Sequence, residues 1–135
     1  MSYKNFRTKR KKVTKVTISN PESEANQQHL VVTYLKETYP NAIYCASAGG
    51  MFTSKSQAIK MKRTGYVSGF PDLFIYEPRN GYSGLAIEMK KEKGGVVSDS
   101  QKQWIIDLNQ RGYVACVCKG FEDAKKAIDN YFKCE

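Results

Sequence analysis

Histidine is almost missing from this chain of 135 residues: His29 is the only one. Its scarcity removes the commonest general base and metal ligand, and no Ser-His arrangement for acyl transfer is supported. His29 itself reads as a plain helix-surface residue. The four cysteines, Cys45, Cys116, Cys118 and Cys134, form no CxxC pair, so a zinc site is not expected. Cys116 and Cys118 stand in an apolar run and read as reduced core residues, which points to a reducing, cytosolic compartment. No apolar run approaches the ~20 residues of a membrane span. The basic N-terminus lacks the apolar stretch of a secretory signal. Acids are also in short supply, 13 against 22 Lys and Arg, for a net charge of +9. An excess of this size on a chain long enough for one compact domain favours a polyanionic partner.

What is present is unevenly distributed. Residues 1–19 carry seven basic residues and no acid. Such a run usually serves as a solvated tail, and its functional reading is contact with phosphates, centred on Lys9, Arg10, Lys11 and Lys12. Residues 13–18, VTKVTI, alternate as a short edge strand would. The chain therefore divides into a basic arm, 1–19, and a domain, 20–135.

Within the domain, Asn20-Pro21 reads as an N-cap followed by proline at the first helical position. That helix should run to about Tyr39, before Pro40. Its apolar stripe, Val31, Val32 and Leu35, extends backward by helical spacing to Gln28 and Glu24. Glu22 is out of phase with that stripe. Strands are expected at 42–48, 70–76, 85–92 and 113–118. A polar, basic segment up to Gly69, with Lys60, Lys62 and Arg63, reads as a long functional loop holding a short helix; those three cations are candidate phosphate contacts. Ser98 and Gln101 fit a capping box at the start of a helix that ends near Gly112, with Trp104, Ile105 and Leu108 inward. A closing helix spans 121–132. The order predicts an α/β domain with a mixed central sheet of about four strands flanked by helices.

The stretch GLAIEMKKE, residues 84–92, carries the chemistry. Side chains alternate along a strand, so Leu85, Ile87 and Met89 share one face and Glu88 and Lys90 the other. Asp72, near the start of the preceding strand, comes beside Glu88 if the two strands form a hairpin. Glu24 is positioned to supply a third carboxylate. Converging carboxylates repel each other and resist burial, and a divalent cation relieves both penalties. Oxygen ligands suit Mg²⁺, with Mn²⁺ as a substitute. Such an ion lowers the pKa of bound water and stabilises charge on phosphate, and Lys90 would hold the water or neutralise developing charge. This set fits phosphodiester hydrolysis better than glycosyl transfer, which has no use for the lysine.

Pro71-Asp72 followed by Glu88-Met89-Lys90 resembles the PD-(D/E)XK nuclease signature. The surrounding blocks, ESEANQQHLVVTYL, GYVSGFPDLFI and GLAIEMKKEKGGVVSDSQKQWIIDLNQRGYVACVCKGFEDAKKAIDNYF, are similar to the VRR-NUC family of virus-type replication-repair nucleases over about residues 21–132. The resemblance implies a restriction-endonuclease-like fold. It implies Asp72 and Glu88 as metal-binding acids, the Met89 backbone carbonyl as a further ligand, Glu24 as the helix-borne acid acting directly or through water, Lys90 as the lysine, and Gln101 near the active site. Glu22 competes with Glu24 for the first acid, and helical phase favours Glu24. Stand-alone members resemble phage or bacterial proteins, which implies a homodimer acting on branched DNA such as four-way junctions, in the host cytoplasm if phage-encoded. Candidates for a partner surface are the segment 49–69 with Tyr66, and Tyr82. The alternatives are a non-catalytic DNA-binding module on the same fold, or a flap- or sequence-directed nuclease with the same chemistry.

Overall fold

The computed structural model describes residues 22–48 and 54–133. Residues of the basic arm, including Lys9, Arg10, Lys11, Lys12 and the strand expected at 13–18, lie outside that range, as do Asn20 and Pro21. The elements in chain order are α1 (Glu24–Thr38), β1 (Tyr44–Ala46), α2 (Lys55–Arg63), β2 (Leu73–Ile75), β3 (Leu85–Lys90), α3 (Asp99–Asn109), β4 (Val114–Lys119) and α4 (Gly120–Lys133).

The strands form one four-stranded sheet in the order β1-β2-β3-β4. The first three are an antiparallel meander, and β4 joins β3 in parallel. That mixed pairing follows from the connections. Asn80-Gly81 makes the tight turn between β2 and β3, both residues having positive φ (47° and 81°), as the primed hairpin turns require. A parallel neighbour needs a longer crossover, and α3 supplies it.

Both faces of the sheet are covered. Leu85, Ile87 and Met89 of β3 pack with Val31 and Leu35 of α1 and Ile128 of α4. On the opposite face Phe74, Ala86 and Ala115 pack with Leu108 of α3, bordered by Phe70 and Trp104. The α1–α4 layer is tied by the hydroxyls of Tyr34 and Tyr39, which both donate to Asp129 Oδ1. The α/β class with a mixed four-stranded sheet is as expected.

Several boundaries differ from the sequence reading; β2 covers only Leu73–Ile75 of the expected 70–76, and β3 ends at Lys90, short of the expected 92. Helix α1 starts at Glu24, because Ser23 is its N-cap and its hydroxyl accepts the Asn26 N–H at 3.2 Å. The strand expected at 42–48 is ordered as β1 over Tyr44–Ala46 only. The loop helix expected before Gly69 is α2, capped by Ser54 and Gln57, and none of its residues is buried. Among the described residues no helix is long and apolar enough to cross a membrane.

Candidate active site

The register of the β2–β3 hairpin pairs Leu73 with Ile87, which brings Asp72 beside Glu88 on the face opposite the α1–α4 layer. Asp72 is fixed there through both ends. Its Oδ2 accepts the Met89 N–H at 2.7 Å. Its own carbonyl accepts the Ser47 N–H at 2.8 Å and lies 3.5 Å from Gln28 Nε2. Along β3, Ala86, Glu88 and Lys90 share a face. Ala86 is core, and the two charged residues continue that row. Neither is left in bulk water: Glu88 is 2% exposed and Lys90 7%.

That burial has an electrostatic consequence. Desolvation pushes the Glu88 carboxyl up to about 7, and the neighbouring charge of Asp72 adds to it. Lys90 opposes the shift with its Nζ 3.4 Å from Glu88 Oε1. Burial also raises Asp72, partly offset by the Met89 N–H and by Lys90, while the charge of Glu24 pushes it further up. Two carboxylates that resist ionising side by side, with hard oxygen donors, are the donor chemistry that a small divalent cation suits.

Gln101 reaches this pair from α3. Its Nε2 donates to Glu88 Oε1 at 2.6 Å, and its Oε1 accepts the Ser98 N–H at 2.9 Å. Ser98 Oγ in turn accepts the Gln101 N–H at 3.2 Å. The reciprocal bonds are the capping box expected from the sequence. They also settle which end of the amide faces the carboxylate. Capping and contact with Glu88 are therefore one arrangement.

Asp72, Glu88, Lys90 and Gln101 form the floor and one side of a cleft of about 300 Å³, and Glu24 lines the same cleft. Glu22 lines a different cavity, with Lys91 and Glu92. Among the described residues no three acidic, His or Cys side chains cluster tightly enough to hold one ion. Glu24 thus borders the Asp72–Glu88 pair without closing on it. The Met89 side chain is wholly in the core. Lys60, Lys62 and Arg63 project from α2 as exposed residues and do not line the cleft.

Sequence reasoning missed the second wall. Tyr66 and Ser68 line the cleft beside the first turn of α3, so Tyr66, read as a candidate for a partner surface, also borders the cleft. The wall is pinned by Trp104, whose Nε1–H donates to the Ser68 carbonyl at 3.0 Å. Trp104 stands three positions after Gln101 on α3, which was the one available signal.

A family model of the VRR-NUC domain matches residues 8–122 of the chain. A solved structure named as a VRR_NUC domain protein is similar at 31% identity, covering 82% of this chain and 88% of that one, with a TM-score of 0.69. Another, named as a VRR_NUC domain, shares the fold at 21% identity over 78% of this chain and 97% of that one, with a TM-score of 0.50. No curated protein matches the chain.

Proposed function

The chain belongs to the VRR-NUC domain family, a nuclease-type domain acting on DNA, and on that premise we propose that it is a divalent-metal-dependent endonuclease selective for branched DNA. The observation that carries the chemistry is the meeting of Asp72, Glu88, Lys90 and Gln101 at one end of the β2–β3 hairpin. Asp72 and Glu88 would hold Mg²⁺, or Mn²⁺ in its place, with the Met89 carbonyl as a further donor and Glu24 contributing through water. When bound, the ion lowers the pKa of a water and stabilises negative charge on the phosphate.

The residues of the chain do the rest. Asp72 is held by the Met89 N–H and Glu88 by Gln101, so neither carboxylate must be ordered when substrate arrives. Lys90, almost wholly desolvated, places a positive charge where the attacked phosphate gains negative charge. A carboxylate pair without such help repels DNA, so a module that only bound DNA would gain nothing from keeping it. The basic arm, with Lys9, Arg10, Lys11 and Lys12, and the exposed Lys60, Lys62 and Arg63 of α2 supply phosphate contacts away from the chemistry.

Selectivity for branched DNA, a homodimer and a cytoplasmic setting are part of the same proposal. A two-fold dimer offers two active sites at fixed separation, which suits paired cuts in a four-way junction of near two-fold symmetry. The test is cleavage of labelled linear duplex, 5′ flap, splayed arm and four-way junction in Mg²⁺, with and without EDTA. Symmetric paired cuts in the junction, lost with EDTA, are the expected result. Preference for flaps would keep the nuclease and change its substrate. Binding to all four with no cleavage of any would overturn the catalytic reading.

A further inference from the structure

Two aromatic residues line the catalytic cleft, Tyr66 and Phe70. Phe70 is occupied: its ring meets Trp104 edge-on at 5.0 Å and lies 6.3 Å from the parallel ring of Phe74. Tyr66 differs. Among the described residues its ring and hydroxyl have no partner, although the residue is only half-exposed and faces a cleft otherwise lined mainly by serine hydroxyls and charges.

The backbone that carries Tyr66 is nonetheless firmly placed. Its N–H donates to the Met61 carbonyl at 2.9 Å, closing off α2. Two residues on, the Ser68 carbonyl takes the Trp104 indole N–H. Gly69 has φ +90°, and a Cβ there would lie 2.6 Å from the Ser100 carbonyl carbon. The wall therefore runs hard against the first turn of α3. A fixed backbone presenting an unpartnered ring into a polar cleft suits a planar ligand. The exposed Lys60, Lys62 and Arg63 stand just upstream in the chain, at the end of α2 that leads into this wall. A row of cations followed by a free aromatic is the arrangement that tracks a nucleic-acid backbone and stacks a base.

We propose that Tyr66 is a substrate-contacting residue that stacks on an unpaired nucleotide bordering the scissile phosphate, held in place by the Trp104–Ser68 contact. The proposal rests on the nuclease reading above and narrows its substrate: the strand to be cut must offer a base free of its partner at that point. A flap or splayed arm offers such a base directly, and the pairs at the crossover of a four-way junction, which lack continuous stacking, open more easily than those inside an intact duplex.

The test uses the full chain with a four-way DNA junction carrying 2-aminopurine beside the branch point, with Ca²⁺ in place of Mg²⁺ so that binding is read without cutting. Tyr66→Phe keeps the ring, and Tyr66→Ala removes it. The bound 2-aminopurine should be dimmer with wild type and Tyr66→Phe than with Tyr66→Ala. Tyr66→Ala should also bind about 5- to 150-fold more weakly, the range expected when one base stack is removed, with its thermal midpoint unchanged. Trp104→Phe, which retains a ring against Phe70 and lacks the N–H donor, should give an intermediate signal. Equal brightness and equal affinity for wild type and Tyr66→Ala would overturn the proposal, as would a Tyr66→Phe variant as impaired as Tyr66→Ala. Failure of the nuclease reading is separable: it would appear as absent cleavage in Mg²⁺ with the Tyr66-dependent signal intact.

Discussion

Gln101 Nε2 lies 2.6 Å from Glu88 Oε1, while the other end of the same amide accepts the Ser98 N–H at 2.9 Å. The first turn of α3 is thereby bonded to the carboxylate on the central strand, and a helix-capping residue becomes part of the proposed metal site. Gln101→Ala should lose the cap, for about 1 kcal/mol of stability, and should lower cleavage through a misplaced Glu88. Gln101→Glu preserves the acceptor for Ser98 but sets a second carboxylate against Glu88. It should retain most of the thermal stability and lose more of the cleavage. Thermal midpoints and single-turnover rates, measured side by side, check this; equal loss of rate in both variants with equal stability would remove Glu88 orientation as the cause.

Removing the charges of the floor should separate binding from chemistry. Asp72→Asn, Glu88→Gln and Lys90→Ala are each expected to reduce cleavage by about 100-fold or more, and EDTA should abolish it in wild type. DNA affinity should change little, because Glu88 and Lys90 are buried and Asp72 half-buried in the cleft. A Lys90→Ala variant that cuts as fast as wild type would refute the role given to Lys90.

Glu88 titrates near 7 in the fold, against an ordinary value of 4.5. Above about pH 7 it is ionised and ready for a cation; below, a proton competes. Mg²⁺ affinity and cleavage should therefore rise with pH through about 7. The stability consequence has the opposite sign. Between 4.5 and about 7 the folded state holds a proton that the unfolded state has lost, so Glu88 makes the metal-free protein less stable as pH rises through that window. Thermal midpoints from pH 5 to 8 should show a fall without metal that Glu88→Gln lacks. Mg²⁺ should stabilise wild type more at pH 8 than at pH 5.

On the proposed reading, the exposed cations act by number and not by precise geometry. Substituting Lys60, Lys62 and Arg63 together by Ala should flatten the plot of log affinity against log salt by about 3, near 0.9 for each phosphate no longer neutralised. Deleting residues 1–12 should flatten it as well. Cleavage at saturating DNA should be retained in both. An unchanged salt slope would take that group off the DNA surface.

Much of this arrangement was legible in local chemistry. Alternation in LAIEMK, the short connection between the second and third strands and the Ser98-x-x-Gln101 box each act within a few residues. Together they imply the hairpin, the shared face of Glu88 and Lys90, and the helix start that meets them. The helical phase of Val31, Leu35 and Gln28 likewise separates Glu24 from Glu22. The start of α1 differs from expectation because Asn20 and Ser23 are both good caps, and pattern alone does not choose between them. The wall of Tyr66 and Ser68 was illegible for a different reason. It is held by an indole bonded to a backbone carbonyl 36 positions away and by a glycine whose importance is the space it leaves. Neither has a periodicity to detect, and Trp104 looks the same in sequence whether it serves only the core or also the cleft.

The short span of the floor has a consequence for the order of assembly. Asp72, Glu88, Lys90 and Gln101 all fall within one strand–turn–strand–helix stretch, and their contacts link positions 17 and 13 apart. The layer beneath closes differently, with Tyr34 and Tyr39 reaching Asp129 across 95 and 90 positions. Contacts between near neighbours in the chain cost less entropy to close and form sooner than distant ones. A chain still being synthesised would hold the entire 72–101 stretch before the last helix exists. The geometry of the floor would then be drafted locally, and the joining of the first and last helices would lock it, adding Glu24 at that final step.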